Sequence, residues 1–293
     1  MTGELAAIGA ALSWAIGSLI VKPINMRFGS LSVNALRTAA AWPVVSVFLV
    51  LTGKTAEISI VNADSVAYII GSGIVGVVIG TTIYLMALNL EDISRVYPIS
   101  YSCWLLATAF IAWVFLGEAI TWLTVVGALV IILGIFLLVV SPRGNRQQVS
   151  PNTTAARGIV LALVAGLCWA AGTTILKLGL ASTNAVVANF IRLPPVFLLL
   201  TVLALVTTGT SSFTKYDLKA LGWVSIAGFL DQALGGVLFF VSIQLAGVAR
   251  ATILSSTSPL FVAALAVLFL KEKVTLRIFL GTLCCVVGIW LTI

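Results

Sequence analysis

The chain is a succession of apolar runs separated by short polar or charged breaks, at about 5–21, 33–52, 66–89, 95–116, 120–140, 159–179, 185–208, 218–245, 250–270 and 274–293. A helix needs about 20 apolar residues to cross a bilayer core, and backbone in lipid must satisfy its own hydrogen bonds, which leaves only helices and closed barrels. Barrel strands alternate in hydrophobicity over about ten residues, whereas these runs are continuous. The expected fold is therefore an all-α integral membrane bundle of ten transmembrane helices. Of 293 residues, 61% are hydrophobic and 9% charged; a soluble domain is about a quarter charged, so little chain remains for one.

Histidine is absent, which removes the commonest general base and metal ligand. Cys103, Cys168, Cys284 and Cys285 fall within apolar runs without C-x-x-C spacing and read as small buried hydrophobes, with no metal or other cofactor expected. The net charge of +7 is dispersed through short loops, pointing to lipid headgroups and the cytoplasm, not to nucleic acid. Met1-Thr2-Gly3-Glu4 has no positive n-region, so the first run is expected to be retained as a span.

The stretch from Ser141 to Asn152 has linker composition, and the two sides of it match. Shifted by 155 positions, Leu12-Ser13-Trp14-Ala15 falls on Leu167-Cys168-Trp169-Ala170, Gly17 on Gly172, Lys22 on Lys177, Asn34-Ala35-Leu36-Arg37 on Asn189-Phe190-Ile191-Arg192, and Arg95 on Arg250. After a one-residue gap Glu118 meets Glu272, Gly127 meets Gly281 and Gly134 meets Gly288. The expected organisation is a first repeat at 1–141, a linker at 142–157 and a second repeat at 158–293. Five helices per repeat is an odd number, so the second copy enters the membrane in the opposite sense. Inverted repeats of this kind enclose a midplane site and permit alternating access.

With these residues in view, the sequence resembles the drug/metabolite transporter superfamily, in its ten-helix EamA-like branch. The resemblance rests on the Trp-containing first helix and the second-helix Arg of each half. It also rests on Phe115-Leu116-Gly117-Glu118-Ala119-Ile120-Thr121 and on Ser258-Pro259-Leu260-Phe261 through Phe269-Leu270-Lys271-Glu272-Lys273-Val274-Thr275. It implies proton-coupled or facilitated movement of a small organic metabolite such as an amino acid or amine, often as export, through a cavity lined by both halves. One departure is that Cys103-Trp104-Leu105 stands where the second half has Ser258-Pro259-Leu260, the first half's proline lying earlier, at Pro98.

Asp231 falls near the middle of the eighth run, and intramembrane acids face cavities by default. It reads as a proton carrier or the partner of a substrate amine, or else as a carboxyl group paired with a polar neighbour such as Gln232, or as lying in a span whose centre is elsewhere. Its repeat counterpart, Gly76, is uncharged, so the site is expected to be asymmetric. Arg37 and Arg192 can clamp a carboxylate or phosphate, which would favour an anionic or zwitterionic substrate; the more economical reading is structural, since the resemblance implies a recurrent Arg there and Arg near a helix end can snorkel. Lys22 and Lys177, closing the first helix of each half, read the same way. Trp14, Trp169, Tyr84, Tyr101 and Trp104 lie inside spans, away from the interfacial belt where Trp and Tyr collect, and suit an aromatic cavity wall or an amine. Ser13, Thr173, Thr174, Asn89 and Gln244 supply hydrogen bonds either to a ligand or between helices. Gly76/Gly80, Gly127/Gly134 and Gly281/Gly288 suit close helix contact, or alternatively a dimer face, leaving monomer and homodimer both open.

The side sharing the termini has Lys54, Lys177 and Arg250, and the other has Lys22, Arg27, Arg95, Arg143, Arg146, Arg157, Lys215, Lys219, Lys271, Lys273 and Arg277. Lys and Arg favour the cytoplasm, so a plasma-membrane protein with its termini outside is expected. The alternatives are a membrane-embedded enzyme or lipid-handling protein, for which the sequence offers no catalytic motif, and a passive channel.

Overall fold

The computed structural model describes residues 2–116, 122–140, 152–255, 257–270 and 275–291, and among them all regular structure is helical. The principal helices are α1 (Thr2–Phe28), α2 (Ser30–Leu51), α3 (Ala63–Leu90), α4 (Ile93–Leu116), α5 (Trp122–Val140), α6 (Asn152–Leu180), α7 (Ala185–Thr208), α8 (Leu218–Gly247), α9 (Ser258–Leu270, preceded by helical residues 248–255) and α10 (Leu276–Leu291). Of these, α1, α2, α3, α6, α7 and α8 are long and apolar enough to cross a membrane.

Three boundaries differ from the sequence expectation, one being that α6 begins at Asn152, inside the expected linker and ahead of the expected run at 159–179. Helix α1 runs on through Lys22 and Pro23 to Phe28, because the Lys22 ammonium is not at a helix end but buried and paired with Asp92 at 3.8 Å. The expected run at 250–270 is interrupted before Ser258-Pro259, where a proline in the first turn of a new helix sacrifices no intrahelical hydrogen bond. Helix α4 continues through its own Pro98, so the two prolines have different effects at their different heights. Gly29, at φ +95°, alone joins α1 to α2, a conformation that costs other residues steric strain.

Helices of one half pack mainly on helices of the other. Helix α1 lies on α8 and α9, α6 lies correspondingly on α3 and α4, α2 pairs with α7, and α5 pairs with α10. The contacts are reciprocal at the level of single residues. A Cβ on Gly134 would sit 2.7 Å from the Gly281 carbonyl oxygen, and one on Gly288 would sit 2.6 Å from that of Gly127; these are repeat-equivalent positions meeting crosswise. Likewise Gly3 abuts Leu245 and Ala246, while Gly158 abuts Leu90 and Glu91. Along α2, Ala35 clusters with Val196 and Leu200, whereas Ala41, Val45 and Leu49 cluster with Val186, Val187 and Leu193. Residue numbers rise on one helix as they fall on the other, so the pair is antiparallel. The glycine spacing of α5 and α10 is thus used within the chain: lipid supplies no hydrophobic drive between helices, and close backbone approach is what makes their packing favourable.

Helices α3 and α8 each contain a π-helical stretch, at Ile74–Thr81 and Phe229–Gly235, positions that coincide under the 155-residue shift. A π turn widens the helix and changes the hydrogen-bond ladder from i−4 to i−5, which leaves carbonyls in need of other donors. The Asn34 amide donates to the Val77 carbonyl at 2.9 Å, and its repeat mate Asn189 donates to the Gln232 carbonyl at 2.9 Å.

Candidate functional site

The two π-helical stretches face a cavity of about 150 Å³ between the halves. Trp14, Trp169, Tyr84, Tyr101 and Trp104 all line it, as do Asp231, Gln232, Thr173, Arg37 and Arg192. Ser13 does not: it is buried one position before Trp14, about 100° away round α1. The aromatic residues form a connected wall. The Trp14 ring lies 5.1 Å from Phe239, 6.3 Å from Trp104 and 6.4 Å from Tyr101, and Tyr101 lies 5.5 Å from Trp169. Their polar edges are occupied by protein. Trp14 Nε1 donates to the Asp231 carbonyl at 3.0 Å, Trp169 Nε1 to Thr81 Oγ1 at 3.3 Å, and Trp104 Nε1 to Thr173 Oγ1 at 3.1 Å.

The charges correct the sequence reading. Asp231 is neither isolated nor paired with Gln232; its Oδ2 receives a hydrogen bond from Arg37 Nη2 on α2, both side chains being buried. Arg37 therefore does not snorkel, because a carboxylate inside the bundle offers it a better partner than distant headgroups. Gly17 allows this meeting, as any side chain there would collide with the Asp231 carboxylate. Its counterpart, Gly172, packs on the Gly76 backbone, and so the second half's arginine meets no acid at the corresponding place. Arg192 Nη2 instead donates to Asn189 Oδ1 at 3.0 Å, and its guanidinium lies 4.6 Å from the centre of the Phe240 ring. Among the described residues, Arg37 Nε, Asp231 Oδ1 and Arg192 Nε are buried without a hydrogen-bond partner.

Other polar candidates are structural. Gln244 accepts from the Ala185 amide at 3.1 Å and donates to the Thr183 carbonyl at 2.8 Å, tying α8 to the start of α7. Asn89 accepts from Asn25 at 2.9 Å, and Thr174 turns back to the Ala170 carbonyl at 2.9 Å. Lys22 belongs to a second buried ionic group, where Arg95 and Glu91 pair at 3.1 Å beside the Lys22–Asp92 pair. The equivalents of Glu91 and Asp92 are Ala246 and Gly247, so this acidic pair marks only one end of the bundle. Among the described residues no group of three His, Cys, Asp or Glu could hold a metal ion.

The sequence reading missed Ser18, Ser72, Tyr97, Phe239 and Phe240 on the cavity wall. The repeat register carried a signal for two of them: adding 155 to Tyr84 reaches Phe239, and subtracting it from Thr173 reaches Ser18.

A model of the EamA-like transporter family matches residues 1–140 and again residues 156–293. An uncharacterized transporter of Archaeoglobus fulgidus is 22% identical over 287 residues, covering 98% of this chain and 96% of its own. A solved crystal structure superposes with a TM-score of 0.72 at 15% identity, covering 99% of this chain and 95% of the other, which establishes likeness of fold.

Proposed function

The chain belongs to the EamA-like transporter family, and from that premise we propose that it is a secondary active transporter of a small organic metabolite, working by alternating access in the direction of export. Ten spans form two inverted five-helix repeats, with boundaries at 1–141 and 158–293. The observation that carries the reading is the polar cavity at the seam of the halves, built from repeat-equivalent residues and holding buried charges that a purely structural core would not need. Reciprocal packing supports two arrangements of similar energy, one open to each side. The Lys22–Asp92 and Arg95–Glu91 pairs act as a latch on the side away from the termini, with no acidic equivalent on the other side.

Asp231 is the proton-coupling group in this scheme. It alternates between its bond to Arg37 and a protonated form, with Arg192, Tyr84, Tyr97 and Tyr101 as the other titratable groups on the cavity wall; a guanidinium stays charged throughout. Trp14, Trp169, Tyr101 and Trp104 contact substrate, and Gln232 and Thr173 add polar contacts. The protein sits in the plasma membrane with its termini outside and functions as a monomer, its glycine-rich faces being consumed within the chain.

Reconstituted in liposomes, Asp231→Asn should abolish flux driven by a pH gradient while retaining substrate counterflow. Full pH-driven flux in that variant would remove Asp231 from coupling. Flux without counterflow in the parent protein would instead favour a channel, and chemical conversion of the solute an embedded enzyme.

A further inference from the structure

We propose that the cavity selects a small monocarboxylate with one aromatic or similarly compact apolar group, and that Arg192 is the residue that holds the carboxylate. The inference rests on the transport reading of this cavity and goes on to name its substrate class.

Among the described residues the charged groups on the cavity wall are two guanidiniums and one carboxylate. The charge of that carboxylate is already balanced, because Arg37 bonds its Oδ2. Among the described residues Arg192 has no such partner: its hydrogen bond goes to a neutral amide, and its Nε is buried without an acceptor. A buried guanidinium with a free donor edge is a site for an anion, and the planar fork suits the two oxygens of a carboxylate. An amine would enter a wall already positive by one charge, and like charges in such a setting repel strongly. The central carbon of the guanidinium lies over the Phe240 ring, 4.6 Å from its centre, while Gly236 keeps the nearby wall free of a side chain.

Volume sets the rest of the molecule. The cavity measures about 150 Å³, and a cavity of about 150 Å³ in another protein takes up benzene. One ring therefore fits in it, facing Trp14, Trp104 and Phe239, whose own N–H donors, where they have them, are already bonded to protein. That leaves the rings to offer apolar and π contact and Arg192 to offer the charged contact.

The test uses the full-length protein in lipid nanodiscs, following quenching of cavity tryptophan fluorescence by benzoate, benzamide, benzylamine and phenylalanine. Benzoate is expected to bind at least about tenfold more tightly than the other three, the scale of a charged hydrogen-bonded contact. Arg192→Gln should weaken benzoate about tenfold and benzamide less than twofold, with Arg192→Lys in between because it keeps the charge and loses the fork. Equal binding of benzoate and benzamide, preference for benzylamine, preference for phenylalanine, or an unaltered benzoate affinity in Arg192→Gln would each overturn the proposal. The comparison of ligands on the parent protein decides the matter even where a variant fails to fold. Binding and counterflow of benzylamine or phenylalanine would sink the carboxylate assignment alone, whereas counterflow with no probe, together with no quenching, would sink the transport site with it.

Discussion

Asp231 and Arg37 lie on different helices, 194 positions apart in the chain, and each would be costly to bury alone. Removing one partner of a buried ion pair costs about 3–5 kcal/mol, whereas removing both leaves no uncompensated charge. Thermal unfolding in a defined detergent is therefore expected to rank Arg37→Gln and Asp231→Asn below the double variant, with a coupling energy of about 2 kcal/mol. Additive losses would mean that the two side chains do not depend on each other. At the start of α8, Asp217 caps the helix, accepting from the Ala220 amide at 2.7 Å and from Arg27 at 3.3 Å. The amide, reinforced by Arg27, holds its carboxyl below the usual carboxylate range. A depressed folded-state value stabilises above the ordinary titration range and is lost as pH falls through the folded one. Asp217→Asn should thus unfold at a lower temperature than the parent at neutral pH, the difference closing as the medium is acidified below the ordinary carboxylate range.

Among the elements, α3 and α8 depend on asparagines from α2 and α7 to serve their π-helical carbonyls. Asn34→Leu and Asn189→Leu should each lower stability by about 1 kcal/mol, near the value of one buried hydrogen bond. Because the widened turns shape the cavity wall, both substitutions should also weaken binding of cavity ligands; unchanged stability and unchanged binding would show the π turns to be self-sufficient. The asparagine and arginine of each second helix were visible in the sequence as one repeated motif, and their division of labour was not. Spacing puts Asn34 and Arg37 on neighbouring parts of a helix face, but only the packed neighbour reveals that one meets a backbone carbonyl and the other a cavity.

For the whole molecule, if the ionic group at one end of the bundle is the proposed latch, it sets how the protein distributes between the two proposed openings. Glu91→Gln with Asp92→Asn should raise the rate at which Ser18→Cys, inside the cavity, is modified from the Arg95 side by at least severalfold. No change would mean that those ion pairs hold the fold and not a gate. Orientation is tested by Thr2→Cys, which a membrane-impermeant maleimide should label in intact cells if the termini lie outside. Labelling confined to permeabilised cells would reverse the charge-based assignment.

The apolar runs determined an all-helical membrane protein, since no other backbone arrangement is satisfied in lipid at that length, and the internal match determined two related halves. The sequence alone also picked out five of the eight aromatic residues of the cavity wall and its ionisable residues Asp231, Arg37 and Arg192, because aromatic and ionisable side chains deep in a span are expensive unless used. What tertiary structure decided was pairing. Asp231 could have met Gln232 beside it, and Arg37 could have reached for headgroups; instead Gly17 left room for the two to meet, while Arg192 met only an amide and a ring. Electrostatic energy depends on distances across helices, and a linear pattern that records which residues share a face does not record which faces come together.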